Sequence, residues 1–321
     1  MASGEGLTIM EYNVENFFDC SDDSLKDDAE FLPDSPRHWT FSRYWKKAND
    51  IAKVIAAAGF PDIIGLCEVE NDSAMVMLTR KGELRGARYE YVMTDSPDQR
   101  GVDVAMLYNP LTVRLLYKDT LRVTPPTGGR PTRDILHCAV STIYDSLPSA
   151  ASREGRRGSL HLFVLHAPSR SGGARASEPY RLKVINRLLE CVDTIRQADP
   201  EARIVVMGDF NDYSYNRSLK MLKQAGLIEA SEHAVGINNP YDVLGTYKFQ
   251  GKWDSLDHIF LSGEWKMENR KWEMDVKVLD LPWLLEAPHG RLQVNRTYQG
   301  THYHGGTSDH LPLIMTLSSQ P

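Results

Sequence analysis

The rest of the chain is organised around the stretch Val205-Val206-Met207-Gly208-Asp209-Phe210-Asn211-Asp212. An apolar run ends at Gly208, and a carboxylate and a carboxamide follow two positions apart, at Asp209 and Asn211. Side chains at positions i and i+2 of a strand point to the same side of a sheet. The stretch therefore predicts a buried strand that presents an acid and an amide together at the rim of a sheet. Such a pair suits a hard cation, a polarised water or a phosphate oxygen, although Gly, Asp and Asn after a strand are also ordinary turn residues.

The composition is that of a globular protein with a slightly acidic balance. The chain has 321 residues, of which 41% are hydrophobic and 25% are charged, and its formal net charge is -6. This composition supports a sizeable core. It argues against a long nucleic-acid footprint, which usually brings a basic excess, but it is compatible with a local basic cleft. The sequence contains no apolar run of about eighteen residues, so we expect no transmembrane helix.

The cysteines and the first residues bear on the cellular compartment. Four widely spaced cysteines form neither a C-x-x-C zinc motif nor a dense disulfide framework, so we expect buried thiols. Residues 1–6 are polar and do not resemble a signal peptide. We expect residues 1–6 to be a disordered or added lead and residues 7–318 to form a single domain of a soluble, monomeric protein. The expected location is the cytoplasm, or outside it if a signal peptide precedes the sequence as given.

Strand and helix patterns alternate along the chain, and several strand patterns occur in pairs. A helix is predicted over residues 42–58, and a longer amphipathic helix over about 178–198. Residues 263–306 are predicted to be rich in loops, and residues 311–317 to form the last strand. Strict repetition of one strand–helix unit is absent, which argues against a barrel of parallel strands. We expect an α/β fold, a four-layered α/β sandwich in which two mixed, mostly antiparallel sheets pack face to face with the helices outside.

One design recurs along the chain, because five or six apolar strands each end in a polar, chemically capable residue. Strand ends at one edge of a packed sheet converge on one surface. Carboxylates, amides and imidazoles in one cleft would be costly without a cation to neutralise them. Oxygen ligands without cysteine suit Mg²⁺, Mn²⁺ or Ca²⁺ better than zinc, and the set fits metal-assisted hydrolysis of a phosphoester. The residues are Asn13, Glu15, Glu68, His166, Asp209, Asn211, Asp257, His258, Ser308, Asp309 and His310.

Six short motifs contain these residues. They are Met10-Glu11-Tyr12-Asn13-Val14-Glu15-Asn16, Ile64-Gly65-Leu66-Cys67-Glu68-Val69, Leu165-His166-Ala167-Pro168-Ser169, Met207-Gly208-Asp209-Phe210-Asn211, Leu256-Asp257-His258-Ile259 and Ser308-Asp309-His310-Leu311-Pro312. In residues and order they resemble the endonuclease/exonuclease/phosphatase superfamily, which has the deoxyribonuclease I-like fold. The resemblance runs from about residue 7 to residue 318. The H-x-P-S-R-x-G-G form that begins at His166 resembles little-characterised bacterial members.

The resemblance implies a site for one or two divalent metal ions. Glu68 would be the principal metal ligand, with Asn13 and Glu15 beside it. Asp309 would lie at the metal or in its water shell. Mg²⁺ is the expected ion, with Mn²⁺ or Ca²⁺ as alternatives. These assignments follow from the family's motifs and not from the spacing of the residues.

The resemblance also implies catalytic roles for His166, Asp209, Asn211, Asp257 and His310. Asp209 would position or activate the attacking water, and Asn211 would hold a phosphate oxygen. His310 would contact the scissile phosphate, while Asp257 orients its ring through a hydrogen bond that selects the tautomer. His166 would lie on the leaving-group side.

Substrate contacts are expected from Asn13, Asn211, Tyr108 and Arg170. Tyr108 falls on a strand that borders the site in the family, although packing at an edge strand would explain this residue equally well. Arg170 follows His166 closely and is well placed to grip a phosphate, with a solvated loop as the alternative.

These residues predict a divalent-metal-dependent phosphoesterase. It would hydrolyse a phosphodiester, in a nucleic acid or a small molecule, by attack of a water that Asp209 activates. One alternative is a phosphatase or a phospholipase C-type hydrolase that acts on a phospholipid or sugar-phosphate head group. An alternative from another class is an inactive protein that only binds phosphorylated ligands, but every core position carries a chemically competent residue.

Overall fold

The structure is a computed structural model of the chain. It describes residues 6–144, 159–200, 202–237, 239–262, 266–267 and 270–319. Of the lead expected at residues 1–6, residues 1–5 lie outside the described residues. Gly6 belongs to the first strand.

The strands are numbered in chain order. They are β1 (Gly6–Phe17), β2 (Ile63–Val69), β3 (Glu90–Met93), β4 (Asp103–Tyr108), β5 (Val113–Leu121), β6 (Ile135–Thr142), β7 (Leu160–His166), β8 (Arg203–Asp209), β9 (Leu227–Glu229), β10 (Tyr247–Phe249), β11 (Lys252–Asp254), β12 (Asp257–Ser262), β13 (Lys266–Met267), β14 (Arg270–Val278), β15 (Leu285–Glu286), β16 (Gln293–Val294), β17 (Tyr298–Gln299), β18 (His302–Tyr303) and β19 (Leu313–Ser319). The helices are α1 (Phe41–Ala57), α2 (Asp72–Val76), α3 (Ala174–Ala198) and α4 (Arg217–Gln224). Shorter helical turns are Ala29–Phe31, Met77–Lys81, Glu83–Ala87, Pro282–Leu284 and Pro288–Gly290.

Two large sheets carry the fold. The first has the strand order β13-β14-β19-β1-β2-β4-β3, and the second has the order β5-β6-β7-β8-β12-β9. β1 pairs with β2 and β7 with β8 in parallel, and the other pairs among the described strands of these sheets are antiparallel. The expected α/β sandwich of two mixed, mostly antiparallel sheets with helices is therefore confirmed.

The central strand β8 shows why its sequence is continuously apolar from Ile204 to Met207. Val205 and Met207 belong to the buried cluster that includes the first sheet. Ile204 and Val206 pack on the opposite face, in the cluster that contains residues of α3 and α4. Successive side chains of a strand point to opposite faces, so a strand covered on both sides has a continuous hydrophobic run. Asp209 shares the face of Met207, which directs its side chain between the sheets.

The long helix begins earlier than the sequence predicts. The amphipathic pattern predicts a start near Glu178. In the structure α3 begins at Ala174 and contains Pro179. The additional turn has side-chain donors for its carbonyl groups, since Arg181 Nη2 lies 2.6 Å from the Ala174 carbonyl oxygen.

The region predicted to be rich in loops contains a long strand. β14 pairs with β19 in antiparallel register over its length from Trp272 to Val278. Polar and apolar residues alternate in this segment, and Val276 and Val278 are buried. The alternation is a local strand signal, but it is short and lies between irregular segments, so the strand depends on pairing with the distant β19.

Gly208 has no room for a side chain. It has φ +143°, and a Cβ at this position would lie 1.8 Å from the Leu165 carbonyl oxygen of the neighbouring strand β7. Gly208→Ala is therefore expected to lower the free energy of unfolding by about 3 kcal/mol, since both the backbone strain and the overlap must be relieved.

A matched control for this substitution is Gly226→Ala. Gly226 also has a positive φ, +77°, but a Cβ at this position would meet nothing within 4 Å. We expect a loss of about 1–2 kcal/mol from the backbone conformation alone. Urea unfolding of both variants measures the difference, and equal losses would contradict the close approach of β7 and β8.

Candidate active site

Polar side chains from both sheets meet at one end of the molecule. Asn13 near the end of β1 and Asp209 at the end of β8 are joined across the sheets, because Asn13 Nδ2 donates to Asp209 Oδ2 at 3.0 Å. His166 ends β7, which runs parallel to β8 in a register that places His166 beside Asp209. Asp257 opens the antiparallel strand β12 and is paired with Asp209. The register of the strands therefore gathers these groups at one sheet edge.

The backbone is strained where these strands end. Glu15, Asn16, Glu68 and Asn211 have φ values of 50°, 53°, 65° and 50°. Residues other than glycine seldom adopt such left-handed conformations, and each costs on the order of 1–3 kcal/mol. The concentration of this strain around one cluster of polar side chains marks the cluster as a candidate functional site.

Asp209 is buried and accepts hydrogen bonds through both oxygens. The backbone N–H of Asn211 donates to Asp209 Oδ1 at 2.8 Å, and Asn13 occupies the other oxygen. Burial, followed by the nearby Asp257 carboxylate, raises the pKa of Asp209 to about 7. A carboxylate with such a pKa can accept a proton near neutral pH. Asn211 is fixed beside it, because its Nδ2 donates to the Ala167 carbonyl at 3.1 Å.

Asp257 and His310 form a buried pair. His310 Nδ1 lies 2.7 Å from Asp257 Oδ2, and the Thr246 hydroxyl donates to the same carboxylate oxygen. Burial lowers the pKa of His310, but the charge and hydrogen bond of Asp257 outweigh it and raise that pKa well above its usual value. The pair therefore favours an imidazolium whose Nε2 is left for another partner. The Tyr247 ring lies beside it, with 5.0 Å between the ring centroids.

His166 and Glu68 occupy the other side of Asp209. His166 Nε2 is 3.5 Å from Asp209 Oδ2 and 3.9 Å from Glu68 Oε1. Burial, with Arg133 and Arg100 nearby, lowers the pKa of His166 well below its usual value. His166 is therefore a neutral imidazole, in contrast to His310. Glu68 is held by the backbone N–H of Asn16, which donates to Oε2 at 2.8 Å.

Arg133 positions the segment after β7, and this role of Arg133 was not predicted from the sequence. This buried guanidinium donates to the carbonyl oxygens of His166 and Ala167 at 3.2 and 3.0 Å. It also lies 3.1 Å from Asp98 Oδ2. A single arginine before a strand has no motif of its own, so its contacts could be found only from the fold.

Glu11 is a second residue that the sequence interpretation missed. It is fully buried on β1, and Cys67 Sγ lies 4.0 Å from its Oε1. Burial, followed by the charges of Asp257 and Asp209, raises the pKa of Glu11 well above its usual value. Glu11 lies two positions before Asn13, and the alternation of a strand could have placed it on the same face.

Glu15 and Asp309 contact an arginine instead of the central cluster. Arg296 Nη2 lies 2.7 Å from Asp309 Oδ2 and 3.4 Å from Glu15 Oε1. The second oxygen of Glu15 accepts the backbone N–H of Thr297 at 2.7 Å. Both carboxylates, which were expected to bind a metal ion, thus accept hydrogen bonds from protein groups.

Tyr108 is not brought to the site, which corrects the expectation that it contacts substrate. β4 runs antiparallel to β2, so that Tyr108 pairs with Ile63 at one end and Asp103 with Val69 at the other. Glu68 and the site lie at the end that carries Asp103. The residue order along β4 was visible in the sequence, but its direction relative to β2 was not.

Arg170 is engaged by neighbouring protein groups. Its Nη1 lies 3.3 Å from Asp212 Oδ1 and 3.2 Å from Asn216 Oδ1, and its guanidinium stacks 4.4 Å from the Tyr213 ring centroid. Asp212 is buried and also lies 2.7 Å from Arg181 Nε. Arg170 therefore links the loop after β7 to the loop after β8, and Asp212 anchors both.

The central cluster fits a divalent cation. Carboxylate oxygens of Asp209 and Asp257 and a ring nitrogen of His310 lie within 4.8 Å of one another. Of these, the two carboxylates can bind a cation, whereas the imidazolium of His310 cannot. Asp257 Oδ1 is buried and has no hydrogen-bond partner among the described residues. Two buried carboxylates that raise each other's energy are stabilised by a cation, and oxygen ligands suit Mg²⁺, Mn²⁺ or Ca²⁺.

Residues 8–319 match the model of the Endonuclease/Exonuclease/phosphatase family, so the chain belongs to that family. Members of the family act as nucleases, phosphatases and phosphodiesterases, and its enzymes generally use divalent metal ions. No curated protein matches the chain. No helix of the described residues has the length and apolar character needed to cross a membrane.

Solved structures share the fold at low sequence identity. A functionally unknown conserved protein from Enterococcus faecalis V583 aligns with a TM-score of 0.63 and 15% identity, covering 98% of this chain and 100% of the other. The mannosyl-6-phosphatase of Bacteroides thetaiotaomicron VPI-5482 aligns with a TM-score of 0.60 and 17% identity, covering 97% and 99%. The catalytic domain of human Nocturnin, solved with bound sulfate, aligns with a TM-score of 0.58 and 18% identity, covering 100% and 97%.

Proposed function

We propose that this protein is a divalent-metal-dependent phosphoesterase that hydrolyses a phosphodiester. The observation that carries the proposal is the meeting of two hydrogen-bonded pairs from different strands, Asn13 with Asp209 at 3.0 Å and Asp257 with His310 at 2.7 Å. One pair contains a carboxylate able to accept a proton, and the other contains an imidazole that carries charge. General-base attack on a phosphorus centre needs both groups.

Asp209 takes the proton of the attacking water in this proposal. Its pKa of about 7 leaves a substantial ionised fraction at neutral pH and still allows it to hold a proton. The side chain is oriented by Asn13 and by the backbone N–H of Asn211, which bind its two oxygens. Asn211 Nδ2 has a second N–H beyond the one given to Ala167, and this donor can hold a phosphate oxygen.

The two histidines differ in charge and therefore in role. His310 is held as an imidazolium by Asp257, and its Nε2 donates to the negative charge that develops on the phosphoryl oxygens. His166 is a neutral imidazole, so its ring N–H can donate a hydrogen bond to the leaving oxygen, which takes its proton from water. The proposed substrate is a phosphodiester of a nucleic acid or of a small molecule, whose leaving oxygen such a hydrogen bond would stabilise.

The divalent ion would be held by Glu68, Asn13, Asp209 and Asp257. When bound, this ion neutralises charge on the phosphate and polarises the phosphoryl oxygen. Glu68 Oε1 faces His166 Nε2 at 3.9 Å, and no hydrogen bond to this oxygen is found among the described residues. Mg²⁺ or Mn²⁺ is the proposed ion, with Ca²⁺ as an alternative.

A hydrolysis screen of metals against substrates tests the proposal. Plasmid DNA and bis-p-nitrophenyl phosphate are incubated with Mg²⁺, Mn²⁺ or Ca²⁺, with and without EDTA, beside Asp209→Ala. We expect turnover of a diester that EDTA abolishes, since the buried carboxylates need a cation. Turnover that survives EDTA would contradict the metal dependence, and no turnover of any phosphoester with any metal would support the inactive phospho-ligand binder.

The same screen separates the alternative hydrolase. Its further substrates are p-nitrophenyl phosphate, sugar phosphates and phospholipid vesicles. The fold shared with a mannosyl-6-phosphatase supports including sugar phosphates, but at 17% identity it speaks for the fold alone. Activity on head groups without activity on diesters would select a phosphatase or phospholipase C-type enzyme.

A further inference from the structure

Arg296 lies between two carboxylates at the edge of the proposed active site. Its Nη2 is 2.7 Å from Asp309 Oδ2 and 3.4 Å from Glu15 Oε1. These carboxylates come from the connection before β19 and from the end of β1, and the family motifs would assign both to a metal. A guanidinium in this position neutralises the negative charge of both carboxylates, so that they no longer require a metal ion for this.

Glu15 is also held from its other side. Its Oε2 accepts the backbone N–H of Thr297 at 2.7 Å. Lys47, which is buried on α1, donates to Thr297 Oγ1 at 2.5 Å and to the Thr307 carbonyl. Two buried or half-buried cations therefore face this side of the site. The carboxylate of Glu15 is consequently placed by the protein itself, in a geometry that points to Arg296 and Thr297.

Among the other carboxylates of the site, Asp257 is paired with His310 through Oδ2, and its Oδ1 has no hydrogen-bond partner among the described residues. Asp209 accepts from an amide side chain and a backbone N–H, both uncharged. Glu68 Oε2 likewise accepts a backbone N–H. Arg296 thus contacts Glu15 and Asp309, whereas among the described residues no arginine or lysine hydrogen-bonds to Glu68 or Asp209.

We propose that Arg296 replaces a metal ion at the Glu15–Asp309 half, so that the protein binds a single divalent ion at the Glu68–Asp209 half. The proposal rests on the metal dependence proposed above and specifies how many ions the site takes. Arg296 acts as a positioning residue, because it holds Asp309 and Glu15 and thereby the segment that carries His310. Glu15 and Asp309 do not fit a metal while Arg296 occupies the space between them.

Mn²⁺ binding to the full chain without substrate tests this assignment. Free Mn²⁺ is followed by electron paramagnetic resonance for the native protein, Arg296→Met and the double variant Arg296→Met/Glu15→Gln. We expect about one ion per chain for the native protein and about two for Arg296→Met, because the methionine removes the charge and frees two carboxylate ligands. The double variant removes one of those ligands and is expected to return to about one ion.

Several outcomes would overturn the proposal. Two ions bound to the native protein would do so, and so would a count and affinity that Arg296→Met leaves unchanged. If Arg296→Met does not fold by thermal melting, the native count and Arg296→Lys, which keeps a positive charge and is expected to bind about one ion, still decide the matter. One ion in the native protein and two in Arg296→Met, without any hydrolysis, would support this inference while contradicting the proposed function. No ion in any variant would contradict both.

Discussion

Asp209→Asn is expected to lower kcat for the diester identified in the screen by a factor of about 10²–10⁴. Asparagine keeps the size of the side chain but cannot accept the proton of the attacking water. It also supplies a single acceptor oxygen for the two donors of Asn13 and Asn211. One of these donors then faces an amide N–H, which is expected to cost about 1–3 kcal/mol of stability. Steady-state kinetics well below the unfolding temperature separates the two effects.

Asp103→Asn is the matched control for this substitution. Asp103 is also a buried carboxylate, and it accepts the Ser96 backbone N–H at 3.1 Å and the Thr94 hydroxyl. It lies at the same end of the sheet but outside the catalytic cluster. We expect a similar loss of stability and a kcat within about twofold of the native value. A kcat for Asp209→Asn within tenfold of native would exclude Asp209 as the proton acceptor.

His310→Gln is expected to lower kcat by a factor of about 10²–10³. The amide of glutamine can still donate to Asp257, but it cannot carry the positive charge that Asp257 favours on the imidazole. Asp257→Asn acts through the same ring. Without the carboxylate the pKa of His310 falls, so the imidazolium is lost at a lower pH and kcat declines earlier as the pH rises. The pH profile of kcat for native protein and Asp257→Asn measures this shift.

His258→Gln is the control for the histidine substitutions. His258 follows Asp257 directly but faces the other side of β12, where its Nδ1 lies 2.8 Å from Glu229 Oε1 and its Nε2 lies 2.9 Å from the Asp212 carbonyl oxygen. Its loss should destabilise the fold and leave kcat nearly unchanged. Equal losses of kcat in His258→Gln and His310→Gln would show that the effect of His310 is structural.

The order of the strands along the chain was largely predictable, because hydrophobic alternation is a local property. The apolar run before Gly208 predicted a buried strand, and β8 is buried on both faces. The predicted elements differ from those of the structure where the local sequence signals are weak. The amphipathic pattern predicted a helix from about Glu178, whereas α3 begins at Ala174, where Arg181 contacts the Ala174 carbonyl oxygen. β14 was predicted as loop because its stability comes from pairing with β19, far along the chain.

The candidate site was predicted in part. Strand ends with acids, amides and imidazoles were recognisable, and Asn13, Asp209, Asp257 and His310 lie together in the structure. The side-chain partners were not recognisable. Arg133 and Arg296 belong to no motif, and Tyr108 was placed at the wrong end of its strand because the direction of β4 relative to β2 is set by pairing. The metal-binding roles of Glu15 and Asp309 depend on the contacts of Arg296 and stay predictions.

The sequence by itself determined the family and which strands carry polar ends, because alternation and short motifs are encoded within a few residues. The tertiary structure decided how these ends are combined. Asn13 meets Asp209 because β1 and β8 lie in facing sheets, 196 residues apart in the chain. Glu15 meets Arg296 across 281 residues. The stretch from Val205 to Asp212 thus supplies a carboxylate whose raised pKa and hydrogen-bond partners depend on strands that no local sequence pattern connects to it.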